Sequence, residues 1–372
     1  MKNKIRVVHV FGGLDMGGAE TMAMNLYRAI DRERVHFDFV VHTEKVGAYE
    51  EEIRSLGGNI YRCPRYALKN HKRYLAWWRR FFEENPDVIL HSHVRSSAIL
   101  YLKLARRVGI KTVIHSHSTS NGRGLASLVK RIYQYPLRHR ADYLMACSNE
   151  AGRWLYGKKA LTRPNYIFFP NAIDTEKYRY CPETAEKYRR ELGLEGKFVV
   201  GHVGRFHEAK NHPFLLRAFA RVAQKREDAM LLLVGDGALR PAVEEQIRSL
   251  GLEGRVILTG SRSDVAGVMQ AMDVFAFPSA WEGLPVTVVE AQSAGLPCLI
   301  SDRVTKDVDL TELVRRLPID REEAWAEAIL ETELLRRDVI DEVRKAGFDV
   351  RESAAKLMEF YLGIVERTVA EK

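Results

Sequence analysis

Two cations in the second half of the sequence have the types and spacing to bind a diphosphate. Arg205 follows the run Gly201-His202-Val203-Gly204, and Lys210 comes five residues later, near a predicted helix start. A strand ending in Gly-Arg brings two cations and several backbone N–H donors together, and charge-assisted hydrogen bonds contribute roughly 1.5 to 3 kcal/mol each. If this motif stood alone, a surface salt bridge with Glu208 would explain it better.

Two carboxylates follow downstream, Glu282 and Glu290, eight residues apart. The segment Gly283-Leu284-Pro285 after the first carboxylate forms a turn that starts a helix. We therefore expect Glu282 to lie in the loop before the helix and Glu290 to lie more than one turn inside it. Because they need not share a face, we expect them to have different roles.

The first half contributes a glycine cluster, in which Gly12 and Gly13 leave a predicted strand and Gly17 and Gly18 open a helix. Glycines let the backbone approach a ligand, and a helix start offers free N–H groups to an anion. The spacing matches neither G-x-G-x-x-G nor a P-loop. A tight strand-to-helix turn explains the cluster nearly as well.

A histidine segment, Ile114-His115-Ser116-His117-Ser118, ends a predicted strand of the first half. A neutral imidazole at His115 could hydrogen-bond a sugar or its phosphate. The alternative is a strand-end histidine satisfied by the backbone. The strand-end position favours the functional interpretation for His115, whereas we favour the structural one for His91, His93 and His117.

Short apolar runs alternate with helical patterns, which predicts parallel sheets covered by helices on both faces. A first series of strands is followed by a polar connector at 170–196 and then by a second series. We therefore expect two doubly wound domains with a cleft between them and ligands at the carboxyl ends of the strands. The predicted strands are 5–11, 37–42, 88–91, 112–116, 143–147 and 166–169, and then 198–203, 230–234, 256–259, 274–277 and 298–301.

The predicted domains are residues 1–175, residues 176–349, and a C-terminal helix over 350–372 that packs back on the body. In this helix the apolar residues recur at helical spacing. They are Ala354, Leu357, Met358, Tyr361, Leu362 and Val365.

Charge is distributed unevenly along the chain. Residues 1–180 contain 31 Lys and Arg against 16 Asp and Glu, which leaves 27 against 33 for the remainder. A basic first half indicates an anionic partner such as a membrane surface or a phosphorylated lipid. Without a zinc finger, an RNP-like motif or a helix-turn-helix, nucleic acid is not an expected partner.

The sequence predicts a cytoplasmic protein. It has no signal peptide and no stretch near the roughly 20 apolar residues that span a bilayer. Its four cysteines lie far apart, which indicates reduced thiols and no structural zinc.

Two segments, 69–84 and 123–140, mix basic with aromatic or aliphatic residues. Such a mixture suits a peripheral contact with an anionic membrane on the inner face of the plasma membrane. It is equally consistent with aromatic residues in the core and cations on the solvated face, and both interpretations stay open here.

Together, the E-x7-E pattern, the Gly-Arg…Lys pattern and the Gly-Gly-Ala-Glu loop resemble those of family 4 glycosyltransferases of the GT-B fold. The resemblance covers nearly the whole chain and is nearest to bacterial exopolysaccharide and capsule enzymes. It implies an α/β architecture of two Rossmann-like domains, the first binding the acceptor and the second the nucleotide-sugar. It further implies retaining transfer of a hexose or N-acetylhexosamine from a UDP-sugar to a glycan or lipid-diphosphate-linked acceptor, with no cofactor and no obligatory metal.

The resemblance also implies roles for single residues. Arg205 and Lys210 would neutralise the diphosphate, Glu290 would accept hydrogen bonds from the ribose, and Glu282 would face the hexose hydroxyls. His115 matches the active-site histidine of the family. The remaining expected donor contacts are Gly17, Gly18, Arg262, Gly283, Leu284 and Pro285.

Two features complicate this picture. Asp307-Val308-Asp309 spells the D-x-D of metal-dependent transferases, and we interpret it as an acidic loop. The segment Ser301-Asp302-Arg303-Val304-Thr305-Lys306 departs from the Gly-rich segment and further Glu of many relatives. The alternatives are a nucleotide-sugar epimerase or phosphorylase on the same fold, or a non-catalytic nucleotide-sugar-binding subunit.

Overall fold

The computed structural model describes residues 4–117 and 134–370. The chain divides into two compact units. Unit 1 comprises Met1–Ala172 and Val350–Lys372, and unit 2 comprises Ile173–Asp349. The C-terminal segment therefore belongs to unit 1, although it follows unit 2 in the sequence.

The sheet of unit 1 has seven parallel strands in the order β3-β2-β1-β4-β5-β6-β7. The strands are β1 Ile5–Phe11, β2 Val35–Val41, β3 Ile60–Arg62, β4 Val88–Ser92, β5 Thr112–Ser116, β6 Tyr143–Ala146 and β7 Tyr166–Phe168.

The sheet of unit 2 has six parallel strands in the order β10-β9-β8-β11-β12-β13. The strands are β8 Phe198–Val203, β9 Ala229–Val234, β10 Val256–Leu258, β11 Val274–Phe277, β12 Cys298–Ser301 and β13 Val314–Leu317.

Helices follow most strands. They are α1 Gly18–Ala29, α2 Glu50–Ser55, α3 His71–Glu84, α4 Ala98–Arg107, α5 Asn149–Tyr156, α6 Thr175–Tyr178, α7 Pro182–Leu192, α8 His212–Lys225, α9 Arg240–Ser249, α10 Val265–Gln270, α11 Val286–Ser293, α12 Glu322–Glu331, α13 Ile340–Lys345 and α14 Val350–Ala370.

Alternating residues of β1 show how the sheet of unit 1 is buried on both faces. Val7 and Phe11 belong to the core under α1 and α14, whereas Val8 and Val10 belong to the core under α3, α4 and α5. Successive side chains of a strand point to opposite faces, so a nearly continuous apolar run is what a doubly covered strand requires. The strand β8 in unit 2 divides its side chains between two cores in the same way.

Each sheet has one place where the strand order reverses. In unit 1 the chain runs from β1 outwards to β3 and then returns to the other side of β1 with β4; in unit 2 the reversal lies between β8 and β11. Open α/β sheets bind ligands beyond the carboxyl ends of the strands at such a reversal. Both regions are therefore candidate ligand sites.

The aromatic residues of the segment 69–84 lie largely in the core. Tyr74, Trp78, Phe81 and Phe82 of α3 are buried. This supports the core interpretation of these side chains and leaves the cations of α3 on the exposed face. Most of the second segment, residues 123–133, lies outside the described residues. Within the described chain, no helix has both the length and the apolar content that a membrane crossing requires.

Candidate active site

The loops after β8 and β11 are joined to each other at the reversal point of unit 2. Ala280 N donates a hydrogen bond of 2.8 Å to Ala209 O. Asn211 Nδ2 donates one of 3.3 Å to Pro278 O, and Asn211 itself has a left-handed φ of 54°. These bonds bring the Gly-Arg…Lys loop and the Glu282 loop together.

Lys210 and Glu282 form an ion pair in this joined region. Their Nζ and Oε1 atoms are 2.8 Å apart, and the side chains are only 17% and 15% exposed. Lys210 Nζ also lies 4.5 Å from the ring centroid of Phe277 at the end of β11. Lys210 therefore pairs with Glu282, and the surface pair with Glu208 considered from the sequence does not form.

Arg205 differs from Lys210 because its side chain is exposed. Among the residues that the structure describes, it forms no salt bridge. It lies directly after Gly204, whose N–H donates to Val234 O at 2.9 Å. Its guanidinium is thus available to an anionic ligand at the end of β8.

Glu290 lies inside α11 and is held by a residue from a distant part of unit 2. Tyr178 Oη donates a hydrogen bond of 2.8 Å to Glu290 Oε1. Burial raises the pKa of Glu290, and the hydrogen bond from Tyr178 opposes this effect. A desolvated carboxylate with one protein donor retains lone pairs for hydroxyl donors of a ligand.

The start of α11 presents backbone donors beside these side chains. Pro285 occupies the N-cap position without a side-chain cap, and Gly283 and Leu284 precede it in a partly buried loop. The first N–H groups of a helix lack intrahelical partners and favour anions. No side chain caps this start, where Val286 N donates to Leu284 O and Val288 N donates to Pro285 O, both at 3.0 Å. What the start of α11 offers a ligand is therefore mainly the positive end of the helix dipole.

A glycine loop that the sequence analysis missed supports the end of β8. A Cβ on Gly235 would lie 2.1 Å from Gly204 O, and one on Gly237 would lie 2.5 Å from Phe206 O. Gly235 also has a φ of +140°, which side-chain-bearing residues rarely adopt. The signal in the sequence was the Gly-Asp-Gly run directly after a predicted strand.

Arg262 is held by its own neighbourhood. Its Nε and Nη2 atoms donate to Asp264 at 2.8 and 2.5 Å, and Tyr188 Oη also donates to Asp264 at 3.0 Å. The bidentate pair lowers the pKa of Asp264 to about 2. The Arg262 guanidinium therefore has a partner already, and any donor contact at this position falls to the backbone of the 260–262 loop.

The predicted residues of unit 1 lie at the carboxyl edge of its sheet. His115 occupies β5, is 1% exposed, and neither ring nitrogen forms a hydrogen bond with any described residue. Burial lowers the pKa of His115 well below its ordinary value, and the imidazoles of His117 and His91 lower it further. A neutral imidazole is the form that can both donate and accept hydrogen bonds.

Gly17 is the N-cap of α1, and Gly18 is its first residue. The preceding loop lines a cavity of about 820 Å³ at the reversal point of unit 1. Lys45 and Arg65 share this cavity with apolar side chains and with Asp15, whose Oδ2 atom pairs with Lys45 Nζ at 3.1 Å. The cavity thus combines positive charge with an apolar lining.

The D-x-D segment does not form a metal cluster in the described chain. Asp309 receives hydrogen bonds from Arg316, at 2.9 Å from Nε and 2.8 Å from Nη2. Groups of at least three potential ligands occur only among histidines of unit 1, within the residues described. The interpretation of this segment as an acidic loop agrees with these contacts.

Related sequences extend over almost the whole chain. Residues 16–177 match the model of Glycosyltransferase Family 4, and residues 197–333 match that of Glycosyl transferases group 1. EpsF of Bacillus subtilis (strain 168), a protein named as a glycosyltransferase, is 36% identical over 368 residues, which is 96% of either chain. The Escherichia coli UDP-Gal:alpha-D-GlcNAc-diphosphoundecaprenol alpha-1,3-galactosyltransferase is 26% identical over 81% of this chain and 80% of its own.

A solved structure supports the fold. HepE from Anabaena in complex with UDP superposes with a TM-score of 0.80 at 21% identity, covering 97% of this chain and 100% of that one. The predicted GT-B fold class, an α/β architecture with two parallel sheets, is confirmed.

Proposed function

This chain belongs to the family 4 glycosyltransferases, and on that basis we propose that it transfers a hexose or N-acetylhexosamine from a UDP-sugar to a glycan or lipid-diphosphate-linked acceptor. The transfer retains the anomeric configuration, needs no metal, and serves exopolysaccharide or capsule synthesis. CapH of Staphylococcus aureus, 21% identical over 370 residues, is named as a capsular polysaccharide biosynthesis glycosyltransferase and supports the choice of process.

One observation carries the donor side of this proposal. Lys210, Glu282 and the start of α11 lie at the strand-order reversal of unit 2, with Arg205 unpaired among the described residues. Two cations and a helix N-terminus offer a diphosphate the positive charge that a metal ion supplies in other transferases. Glu290 is assigned to the ribose hydroxyls and Glu282 to the hexose.

The nature of the donor and acceptor is inferred from chemistry and from relatives. The E. coli relative is named for UDP-Gal and a diphosphoundecaprenol-linked acceptor, and the Anabaena protein binds UDP. The cavity of unit 1 supports an acceptor of that kind, because Arg65 suits a diphosphate while the apolar lining suits a lipid segment; Lys45 would have to leave Asp15 to add a second cation.

In the proposed reaction the bond between C1 of the sugar and the UDP oxygen breaks, and UDP keeps the electron pair. The acceptor hydroxyl forms the new bond to C1 and gives its proton to the departing UDP oxygen. Arg205, Lys210 and the helix start stabilise the charge that develops on UDP. His115, held neutral by burial, hydrogen-bonds the donor sugar or its phosphate.

The test is a binding and turnover comparison of wild type with Arg205→Ala, Lys210→Ala and His115→Ala, all in chelator. We expect the first two variants to weaken UDP binding at least tenfold, by calorimetry or thermal shift. His115→Ala should bind UDP within threefold of wild type but turn over donor at least tenfold more slowly. Equal loss of UDP binding in all three variants would contradict this division of roles.

The same assay separates the alternatives. Donor consumption without acceptor would indicate an epimerase, and phosphate-dependent release of sugar phosphate would indicate a phosphorylase. Binding of no nucleotide at all would support a non-catalytic subunit. The anomeric proton coupling of the isolated product, measured by NMR, tests retention.

Peripheral contact with an anionic membrane is part of the proposal. Leu68 is 84% exposed beside the exposed cation Lys72, at the start of α3. Exposed apolar and basic residues together suit an anionic lipid surface. Cosedimentation with phosphatidylglycerol vesicles should exceed that with phosphatidylcholine vesicles, and a combined Leu68→Ser, Lys72→Glu variant should remove the difference.

A further inference from the structure

Five histidines of unit 1 form a continuous cluster at the carboxyl edge of its sheet. His9 of β1 pairs in register with His91 of β4, and His93, His115 and His117 extend the row along β4 and β5. Residues two apart in a strand share one face, so these side chains point the same way. The glycosyl transfer proposed above uses only one of them.

Three members of this cluster converge tightly. The ring centroids of His115 and His117 are 4.0 Å apart, and that of His93 lies 5.5 and 5.1 Å from them. One ring nitrogen from each of these residues lies within 4.8 Å of the other two. Three donor atoms can therefore reach a common point.

We propose that His93, His115 and His117 bind one divalent zinc ion, which inhibits the enzyme by occupying His115. The inhibition rests on the proposed function, whereas the binding does not. Three imidazole nitrogens with a fourth position open to water form a common zinc site, and imidazole favours late first-row metals over magnesium or calcium.

For one pair of ring nitrogens the adjustment is small. His93 Nδ1 and His117 Nε2 are 2.8 Å apart and share a hydrogen bond, which two metal–nitrogen bonds would replace. Nitrogens bound at about 2.05 Å on a tetrahedral ion are roughly 3.4 Å apart, so the rings must separate by roughly half an ångström. That displacement is within reach of a small rotation about the side-chain torsions.

Ring nitrogens of the proposed triad lack hydrogen-bond partners. Both nitrogens of His115 and Nδ1 of His117 are buried without a hydrogen bond to any described residue. A buried polar group without a partner is costly in free energy, and coordination to a cation would satisfy one of the His115 nitrogens.

Exposure differs between the two possible triads. His93 and His117 are partly exposed, whereas His9, His91 and His115 are each 1% exposed. The second possible triad, His9, His91 and His93, has only one partly exposed member. We therefore assign the ion to His93, His115 and His117.

The binding experiment uses the full chain, without an affinity tag, after chelator treatment. Titration with zinc chloride in a calorimeter should show one site per chain. Both His117→Ala and His117→Gln should weaken it at least tenfold, while His9→Ala and His139→Ala, an exposed histidine of the same unit, should change it less than threefold. Cobalt should give the visible absorption of a tetrahedral site in wild type but not in His117→Gln.

Absence of zinc binding by wild type would overturn the proposal. So would a loss in His9→Ala as large as in His117→Ala, since this would place the ion in the other triad. If circular dichroism shows that His117→Ala is misfolded, the zinc affinity of His117→Gln tests the proposal instead.

The inhibition experiment measures transfer in chelator and after addition of zinc. Turnover should fall at least tenfold with zinc and return with excess chelator, whereas zinc that binds without slowing transfer would overturn the inhibitory role. If no donor is turned over even in chelator, the proposed function fails while calorimetry still decides the zinc site.

Discussion

At the scale of single residues, the ion pair between Lys210 and Glu282 competes with the ligand proposed for Lys210. The two side chains are largely buried and 2.8 Å apart, so Lys210 is already paired with a carboxylate of the protein when no ligand is bound. The pair positions Lys210. It also reduces the free energy that Lys210 contributes to binding a diphosphate, because the ion pair must first break.

Glu282→Gln should therefore strengthen the binding of UDP while slowing transfer from the UDP-sugar. Releasing Lys210 from a partly buried pair is worth about 1 kcal/mol, which is roughly a fivefold lower Kd for UDP. Calorimetry with UDP and steady-state turnover measure the two effects. Glu208→Gln is the matched control, because Glu208 is exposed and unpaired with Lys210. Weaker UDP binding by Glu282→Gln would contradict the competition.

Glu290 provides a second prediction at this scale. Its folded-state pKa is raised by burial, so the ligand-free protein binds this proton more tightly than the unfolded chain does. The stabilising contribution is present below the unfolded pKa of about 4.5 and is lost as pH rises through the raised folded value. At neutral pH the protein thus carries the desolvation cost of this carboxylate that Tyr178 and the nearby lysines do not offset.

Glu290→Gln should therefore raise the unfolding midpoint of the ligand-free protein at pH 7.5 but leave it nearly unchanged at pH 4.5. It should also weaken UDP binding, because an amide accepts ribose hydrogen bonds less strongly than a carboxylate does. Thermal unfolding at both pH values, with and without UDP, measures these changes. Tyr178→Phe is the control that removes the hydrogen bond and keeps the charge; it should lower the midpoint at pH 7.5. A Glu290→Gln protein that is less stable than wild type at pH 7.5 would contradict the predicted direction of the stability change.

The sequence identified the chemical types at these positions but not their partners. Lys210 and Glu282 lie on loops after β8 and β11, and Tyr178 is 112 residues from Glu290. Local spacing cannot reveal such pairs, because they depend on the order in which strands join the sheet. The histidine cluster shows the same limit, since each member, taken singly, resembles an ordinary strand-end histidine.

At the scale of elements, the prediction from sequence was accurate where strands are apolar and central. All eleven predicted strands occur, with differences of one or two residues at their ends. Two strands were missed, β3 and β13, and both are edge strands with arginine in short, partly exposed runs. Their pairing comes from the neighbouring strand and not from their own composition. The helix over 350–372 was also predicted, although Val365 is 36% exposed and not in the core.

A prediction at the scale of elements concerns the glycine loop after β9. Gly235→Ala should destabilise unit 2 by more than about 2 kcal/mol and weaken UDP binding, because its Cβ would meet Gly204 O at 2.1 Å and displace the end of β8. Urea unfolding and UDP calorimetry measure the two effects. Gly363→Ala in α14, where a Cβ meets only Arg367 at 3.5 Å, should instead stabilise the protein by about 0.5 to 1 kcal/mol. Wild-type stability and UDP affinity of Gly235→Ala would contradict this prediction and would show that the loop can shift to accept the methyl group.

At the scale of the whole molecule, the connection between the units is the informative feature. The chain enters unit 2 at Ile173 and leaves it at Asp349, and these two residues form an isolated parallel bridge. Thr175 Oγ1 donates to Asp349 at 2.5 Å beside this bridge. Unit 2 is thus inserted into unit 1 with its two ends adjacent.

Deleting α14 by a stop codon after Asp349 should unfold unit 1 and leave unit 2 folded. The helix buries five apolar side chains in the core of unit 1, at about 1.5 to 3 kcal/mol for each of the four larger ones and about 0.8 kcal/mol for the alanine, which is comparable to the whole stability of a domain. The five are Val350, Ala354, Leu357, Tyr361 and Ile364.

Hydrogen exchange with mass spectrometry should show that β1 loses protection while β8 keeps it. Tyr361→Phe is the milder comparison, which removes only the hydrogen bond to His91, at 2.6 Å, and should cost about 0.5 to 1.5 kcal/mol. Loss of protection in both units at once would show that they unfold as one.

The position of α14 also fixes the order in which the protein can be made. A ribosome completes every residue of unit 2 before it synthesises the helix that closes the core of unit 1. The apolar surface of unit 1 that α14 covers is therefore exposed while unit 2 is synthesised and folds. The cavity beside Arg65 and the histidine cluster therefore lie in a half whose core is completed only when α14 has been synthesised.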